Sequence, residues 1–323
     1  MLALGNALVD VLVYADDDFV VRTGVERGAM TMVDAARSDE IYAEMGPATE
    51  ASGGSAANTI AGVASFGGKA AFIGRVADDT FGKVFSHDLR SIGVHFDAPF
   101  ATSGTPTGRC LVIVTPDAQR TMCTFLGAGV ELDESYVDEA LVASSAVTYL
   151  EGYLWDPPEA KAAVRRAAAI AHRADQRVAL TLSDPFCVER HRAEFLELIK
   201  GDIDILFANE DEITSLYEVD TFDEALHHVR GHCEIAALTR GPHGSVIVAG
   251  DDVHVIDAHP AEVTDTTGAG DAYAAGFLYG LTHGHPLATC GLLASLGAAE
   301  VISHLGPRPA VAFADLARPV LGA

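Results

Sequence analysis

Three small residues standing directly before an acid, Gly268-Ala269-Gly270-Asp271, form the stretch of this chain whose residue types best suit moving a proton and a phosphate together. Behind them Ala272, Ala274, Ala275, Phe277, Leu278 and Leu281 recur at the spacing of a helix with one buried face, so the glycines open a helix. A helix start offers N–H groups without internal partners and the positive end of the dipole, and residues without bulk let an anion come close. Asp271, in the first turn, can accept a proton from an attacking hydroxyl while the N–H groups stabilise a moving phosphoryl group. By spacing alone, a plain Gly-rich helix start with an acidic first turn reads the same way.

A second small-residue helix start lies at Gly53-Gly54-Ser55, with Ser55 expected to cap, Asn58 one turn in, and Ile60, Val63 and Phe66 at core spacing. Gly62 to Lys69 imitates a Walker loop, but the lysine is one place late and Ala70 follows it, so that chemistry is absent. The chain has only three asparagines, Asn6, Asn58 and Asn209, and each stands beside glycines or acids. His228, His232 and Cys233 include an i, i+4 histidine pair, read as a metal site or as residues of a solvated helix face. His283 and His285 read as loop residues, and Arg120 as a strand residue free either to swing toward phosphate or to make a surface ion pair.

These groups need a scaffold, and its elements follow from the pattern. A short apolar strand, Leu2 to Leu4, ends at Gly5-Asn6 and is followed by Asp10, and ligands in open α/β sheets collect at such strand ends. From Leu132 onward strands and helices alternate: a strand Ser145 to Leu150, a helix Pro157 to Ala174, a strand Arg177 to Leu182, a helix Val188 to Lys200, a strand Asp204 to Phe207, helices Glu210 to Tyr217 and Asp223 to Arg230, and a strand Ala236 to Thr239. That alternation predicts a mostly parallel sheet covered on both faces. Two strand-rich stretches interrupt it. In one, apolar runs flank an acidic turn, Asp16 to Asp18; in the other, Gly108 to Thr115 and Arg120 to Leu126 flank a P-D-A-Q turn. The expected division is a large domain of residues 1–10, 34–94 and 127–323 and a β-lid of residues 11–33 and 95–126.

Composition bounds the function. At 323 residues and 49% hydrophobic content the chain fills a large core, and a formal charge of −25 disfavours nucleic acid and anionic lipid as partners. Five cysteines without a C-x-x-C pair suit a reducing cytoplasm, and neither a signal segment nor a membrane span is expected.

Together, D-T-T-G-A-G-D-A-Y-A-A-G-F-L and G-G-S-A-A-N-T-I-A-G-V-A-S-F-G-G-K resemble the paired signatures of the ribokinase-like (PfkB) kinases of sugars and nucleosides. G-N-A-L-V-D, A-L-T-L-S-D-P-F and D-I-D-I-L-F-A-N-E-D-E are most similar to its adenosine kinase branch. The resemblance implies a three-layer α/β/α domain with a mostly parallel sheet plus a small β-sheet lid, ATP as co-substrate, Mg²⁺, and a monomer or homodimer. It makes Asp271 the base and Gly268, Ala269 and Gly270 the anion hole, and it places Asp10, Gly54, Ser55 and Asn58, with Asn6 close by, on the acceptor's ribose hydroxyls. Asn209 and Glu212 match an N-x-x-E element that places Mg²⁺ through water; Thr239, Gly241 and Gly244 line the ATP site; Asp265 and Thr267 stand where ligands of a monovalent cation such as K⁺ would be. The expected reaction is phosphorylation of the 5′-hydroxyl of adenosine, with ribokinase-type, fructokinase-type and inosine or guanosine kinases as alternatives. A ligand-binding protein on the same fold would have lost Asp271 or the N-x-x-E acid, and this chain keeps both. For a purine wall the sequence offers Tyr153, Leu154 and Trp155, just past the strand ending at Leu150; packing against the following helix is the alternative for Trp155.

Overall fold

The computed structural model describes residues 1–117 and 119–322; Ala118, in the expected P-D-A-Q turn, and Ala323 lie outside the described residues. The strands are, in chain order, β1 (Leu2–Leu4), β2 (Leu8–Tyr14), β3 (Met30–Met32), β4 (Thr49–Gly53), β5 (Ala70–Ile73), β6 (Val94–His95) and β7 (Thr107–Val114). They continue as β8 (Arg120–Gly127), β9 (Val147–Glu151), β10 (Arg177–Thr181), β11 (Ile205–Asn209), β12 (Ile235–Thr239), β13 (Ser245–Ala249) and β14 (Asp252–Ile256). Nine of them form one sheet in the order β14-β13-β12-β11-β10-β9-β1-β5-β6. From β12 to β6 it is parallel, and β13 and β14 add an antiparallel edge.

Its inner strands are apolar on both faces, as a doubly covered sheet requires, while the edge strand β14 is largely exposed. Ala3, Phe72, Tyr149 and Phe207 point into one core with the helices Ser55–Ser65, Ala269–Thr282 and Leu287–Val301. Leu2, Leu4, Leu150 and Leu206 point into the other with Pro158–Arg173, Pro185–Gly201 and Glu210–Tyr217. The result is the expected three-layer α/β/α arrangement. From β1 the chain runs outward to β5 and β6 and later returns to β9 on the other side, so the strand order reverses between β1 and β9, where a crevice opens at the strands' C-terminal ends.

The second sheet has the order β3-β8-β7-β2-β4. It takes in β4, and β2 begins at Leu8, so it reaches outside the ranges 11–33 and 95–126 expected from sequence. The run T-E-A-S-G of β4 has little strand propensity, and pairing with β2 decides its conformation. The expected acidic turn at Asp16 to Asp18 is instead a helix, Asp17–Thr23, capped by Asp16, whose Oδ1 accepts from the Phe19 N–H at 2.8 Å. Seven residues are too few to show helical periodicity in sequence. All five cysteines are unpaired, and among the described residues no helix is long and apolar enough to cross a membrane.

Candidate active site

Gly268 caps the helix Ala269–Thr282 with φ 76°, a left-handed conformation that suits glycine, and a Cβ there would lie 2.6 Å from Pro307 Cβ. The N–H of Ala269 already donates to the Thr266 carbonyl at 3.2 Å. Ala269 therefore offers only its small size here, and the N–H groups of Gly270 and Asp271 lie in the open first turn, where a helix start can receive an anion. Burial pushes the Asp271 carboxyl up to about 6, against the hydrogen bonds from Ser55 and Asn58 and the charge of Arg308 that favour its ionised form.

Two distant helix starts meet at this acid. Ser55 Oγ donates to Asp271 Oδ1 at 2.6 Å and Asn58 Nδ2 to Oδ2 at 3.0 Å. Ser55 does not cap its helix as expected; Gly54 occupies the cap at φ 96° without a side-chain bond, which frees the hydroxyl for Asp271. A Cβ on Gly54 would lie 2.3 Å from the Asn6 carbonyl oxygen, so this glycine is used for close backbone packing. Asn6 is turned inward: its backbone N–H and its Nδ2 both donate to Glu151 Oε1, at 2.7 and 2.6 Å, while Ala56 N–H donates to Oε2 at 2.8 Å. Glu151, at the end of β9, thus ties the end of β1 to the start of the Ser55 helix across the point where the strand order reverses. Burial raises its carboxyl to about 7. Burial likewise raises Asp10 to about 6, Arg308 being the first of the nearby charges and Asp271 the next. Arg308 is anchored on the Ser52 and Ala57 carbonyls by three bonds of 2.7 to 3.1 Å.

A cavity of about 400 Å³ joins Asp271 and the Gly268–Gly270 turn to Ser55, Tyr153, Asn209, Glu212, Thr239 and Gly241. Asn209 and Glu212 form a complete capping box: Asn209 Oδ1 accepts from the Glu212 N–H at 2.8 Å, and the Glu212 oxygens accept from the Asn209 N–H and Nδ2 at 3.0 and 2.7 Å. Burial raises Glu212 to about 7, and the charges that act on it, Asp184, Asp211 and Asp271, are all carboxylates. A second, largely apolar cavity of about 600 Å³ adjoins the first; it shares Thr239, Gly241, Ala269 and Gly270 and extends over Gly244, His259, Pro260, Ala298 and Ile302.

Several expectations need correction. Leu154 and Trp155 are 0% and 1% exposed in the core under the outer helices, Trp155 against Phe195, so neither reaches a ligand. A strand–helix connection packed beneath its own helix looks, in sequence, like an aromatic wall. Tyr153 does line the cavity, and its hydroxyl donates to the Ser183 carbonyl at 3.4 Å. His232 Nδ1 is engaged by the Tyr217 hydroxyl at 2.9 Å, and among the described residues no cluster of metal-ligating side chains exists. Arg120 makes a buried ion pair, to Asp265, rather than one on the surface.

Sequence reasoning missed Glu151, Arg308 and one face of the second sheet. Register puts Asp10 beside Cys110, Leu12 beside Val112, Cys110 beside Thr124 and Val112 beside Met122. Alternate residues share a face, so Asp10 at one end and Arg120 at the other bracket a wall of Leu12, Cys110, Val112 and Met122. Asp10 lies close enough to Asp271 to feel its charge, and Arg120 touches Asp265, so the two ends of that face lie beside the site.

A profile of the pfkB family carbohydrate kinases matches residues 29–312. The chain belongs to the PfkB family. It is 51% identical to the adenosine kinase from Sinorhizobium meliloti, with a TM-score of 0.91 and 98% of each chain covered. It is 47% identical to a probable sugar kinase from Rhizobium etli, also at 0.91, covering 98% of this chain and 97% of that one. Among curated proteins it is 28% identical to a 5-dehydro-2-deoxygluconokinase from Halalkalibacterium halodurans over 262 residues, 78% of this chain and 79% of that protein. This PfkB chain is accordingly a kinase that uses ATP as co-substrate and an alcohol group as acceptor.

Proposed function

We propose that this PfkB kinase transfers the γ-phosphoryl group of ATP to the 5′-hydroxyl of adenosine, giving AMP and ADP. The observation that carries the reading is the apolar wall of Leu12, Cys110, Val112 and Met122 running from the polar group of Asp10, Ser55, Asn58 and Asp271. A nucleoside needs both: hydroxyl partners for its ribose and a flat apolar surface for its base. The likeness to the Sinorhizobium enzyme supports the same reading.

In the reaction Asp271 takes the proton of the acceptor hydroxyl as its oxygen attacks the γ-phosphorus, and the bond from phosphorus to the ADP oxygen breaks. The N–H groups of Gly270 and Asp271 meet the charge on the transferring group. Ser55 and Asn58 hold Asp271 by both oxygens, so the base is aimed before substrate arrives. The ATP base is assigned to the 600 Å³ cavity by Gly244, Pro260 and Ile302. Mg²⁺ would be held through water beside Asn209 and Glu212, because the buried Glu212 has the carboxylates Asp184, Asp211 and Asp271 around it and each of its oxygens keeps a lone pair for a metal-bound water. Bound there, the ion would supply charge neutralisation for the phosphates. The second sheet is read as a lid whose closure excludes water, to be checked by hydrogen exchange with and without acceptor. Five free thiols suit the cytoplasm.

Sugar phosphorylation is the second reading, favoured by the 5-dehydro-2-deoxygluconokinase likeness. Measuring kcat/KM for adenosine, guanosine, inosine, ribose and fructose side by side separates the two. Adenosine is expected to lead; a lead for ribose or fructose would replace the nucleoside reading and leave the kinase assignment standing.

A further inference from the structure

Asp265 sits in the turn that leads into the anion hole, and its side chain is fully buried. Its Oδ1 accepts from the Thr267 N–H at 2.8 Å and from one terminal nitrogen of Arg120; its Oδ2 accepts from the Gly306 N–H at 2.9 Å and from the other terminal nitrogen. Arg120 begins β8 on the second sheet, 145 residues away, and its side chain is 14% exposed. A carboxylate offers about four lone-pair sites, so this set is full. A cation placed against Asp265 would also face the guanidinium at close range in an enclosed place, where like charges repel strongly. The monovalent-cation role that the D-T-T-G-A-G-D motif implies for Asp265 and Thr267 therefore does not fit the residues present.

We infer that Arg120 stands in for a monovalent cation beside the anion hole, and that this kinase works without one. The guanidinium neutralises Asp265 and, through its planar two-pronged contact, fixes the carboxylate's orientation. The carboxylate in turn pins the N–H groups of Thr267 and Gly306. Thr267 precedes Gly268, and Gly306 precedes Pro307, the residue a Cβ on Gly268 would meet. Arg120 is thus a positioning residue: it touches no reacting atom and acts on the anion hole through Asp265. Because it belongs to the second sheet, it also couples the placement of that sheet to the geometry of the phosphate site.

The test compares potassium, sodium and tetramethylammonium chlorides at constant ionic strength, reading both the phosphorylation rate with Mg²⁺-ATP and the thermal unfolding midpoint without acceptor. For the natural chain the expected rates differ by less than about twofold between potassium and tetramethylammonium, and the midpoints coincide. Activation by potassium of about tenfold, or a potassium-specific rise in midpoint, overturns the inference. In Arg120→Gln the vacated carboxylate should take the ion: kcat is expected to fall about tenfold with acceptor KM within about threefold, and potassium, unlike tetramethylammonium, to restore most of the loss. A variant as active as its parent, or impaired and indifferent to potassium, also overturns it. The salt series on the natural chain needs no variant and decides the matter even if Arg120→Gln fails to fold. Unfolding midpoints require no acceptor, so an error about adenosine leaves this result readable.

Discussion

The hydroxyl of Ser55 donates to the Asp271 carboxylate at 2.6 Å across 216 residues of chain, and it is this contact that turns two separate Gly-rich helix starts into one site. With Asn58 on the other oxygen, the Asp271 carboxylate is held at both oxygens.

Asp271→Asn keeps the shape of that contact and removes the carboxylate proposed as the base. Turnover is expected to fall by about 10² to 10⁴-fold, while acceptor affinity, measured by calorimetry, changes little. Retained turnover would remove Asp271 from its role.

The acid limb of kcat/KM should have its midpoint near the value of about 6 to which burial raises Asp271. The ionised carboxylate is the active form, so activity is present above that pH and lost as pH falls through it. Asp10, also raised to about 6, contributes to the same limb through acceptor binding. A pH–rate profile with its acid midpoint near 4 would contradict the enclosure of both acids.

Glu151 predicts the opposite trend for stability. Its folded-state value of about 7 lies above the ordinary 4.5, so its contribution is fully present below 4.5 and is lost as pH rises through about 7. Unfolding midpoints should decline across that window, and less steeply in Glu151→Gln. Glu151→Ala, which strands the Asn6 and Ala56 N–H groups, should cost about 1 to 3 kcal/mol for each unpaired buried donor in a denaturant titration.

Glu212→Gln keeps a neutral capping group but loses the charge that the metal's water shell would use. The expected result is a higher Mg²⁺ requirement and a lower kcat, with acceptor KM nearly unchanged. A defect confined to acceptor affinity would place Glu212 on the wrong side of the cavity.

Leu12→Ala and Met122→Ala trim the apolar wall at partly buried positions. Removing that contact should raise KM for adenosine about tenfold each, at roughly 1.5 kcal/mol of lost apolar burial, while leaving ribose kinetics almost unaltered. Equal effects on nucleoside and free sugar would move the base elsewhere.

Helix starts, caps and anion cradles are made within one or two turns of chain. For that reason Gly268-Ala269-Gly270-Asp271 was readable from residue order as a helix start, as was the alternation that builds a doubly covered sheet. Contacts between elements are not local. That Glu151 bridges Asn6 and Ala56 follows from β1 lying between β5 and β9, and a lone acid ending the apolar run V-T-Y-L-E was the one available hint. Trp155 went to the core because the connection after β9 tucks beneath the helix Pro158–Arg173, while the wall proposed for the base comes from three strands whose register aligns Leu12, Val112 and Met122. Likewise nothing near Asp265 in sequence signals Arg120; the second sheet brings the guanidinium there, and a buried carboxylate needs a counter-charge from whichever element the fold sets beside it.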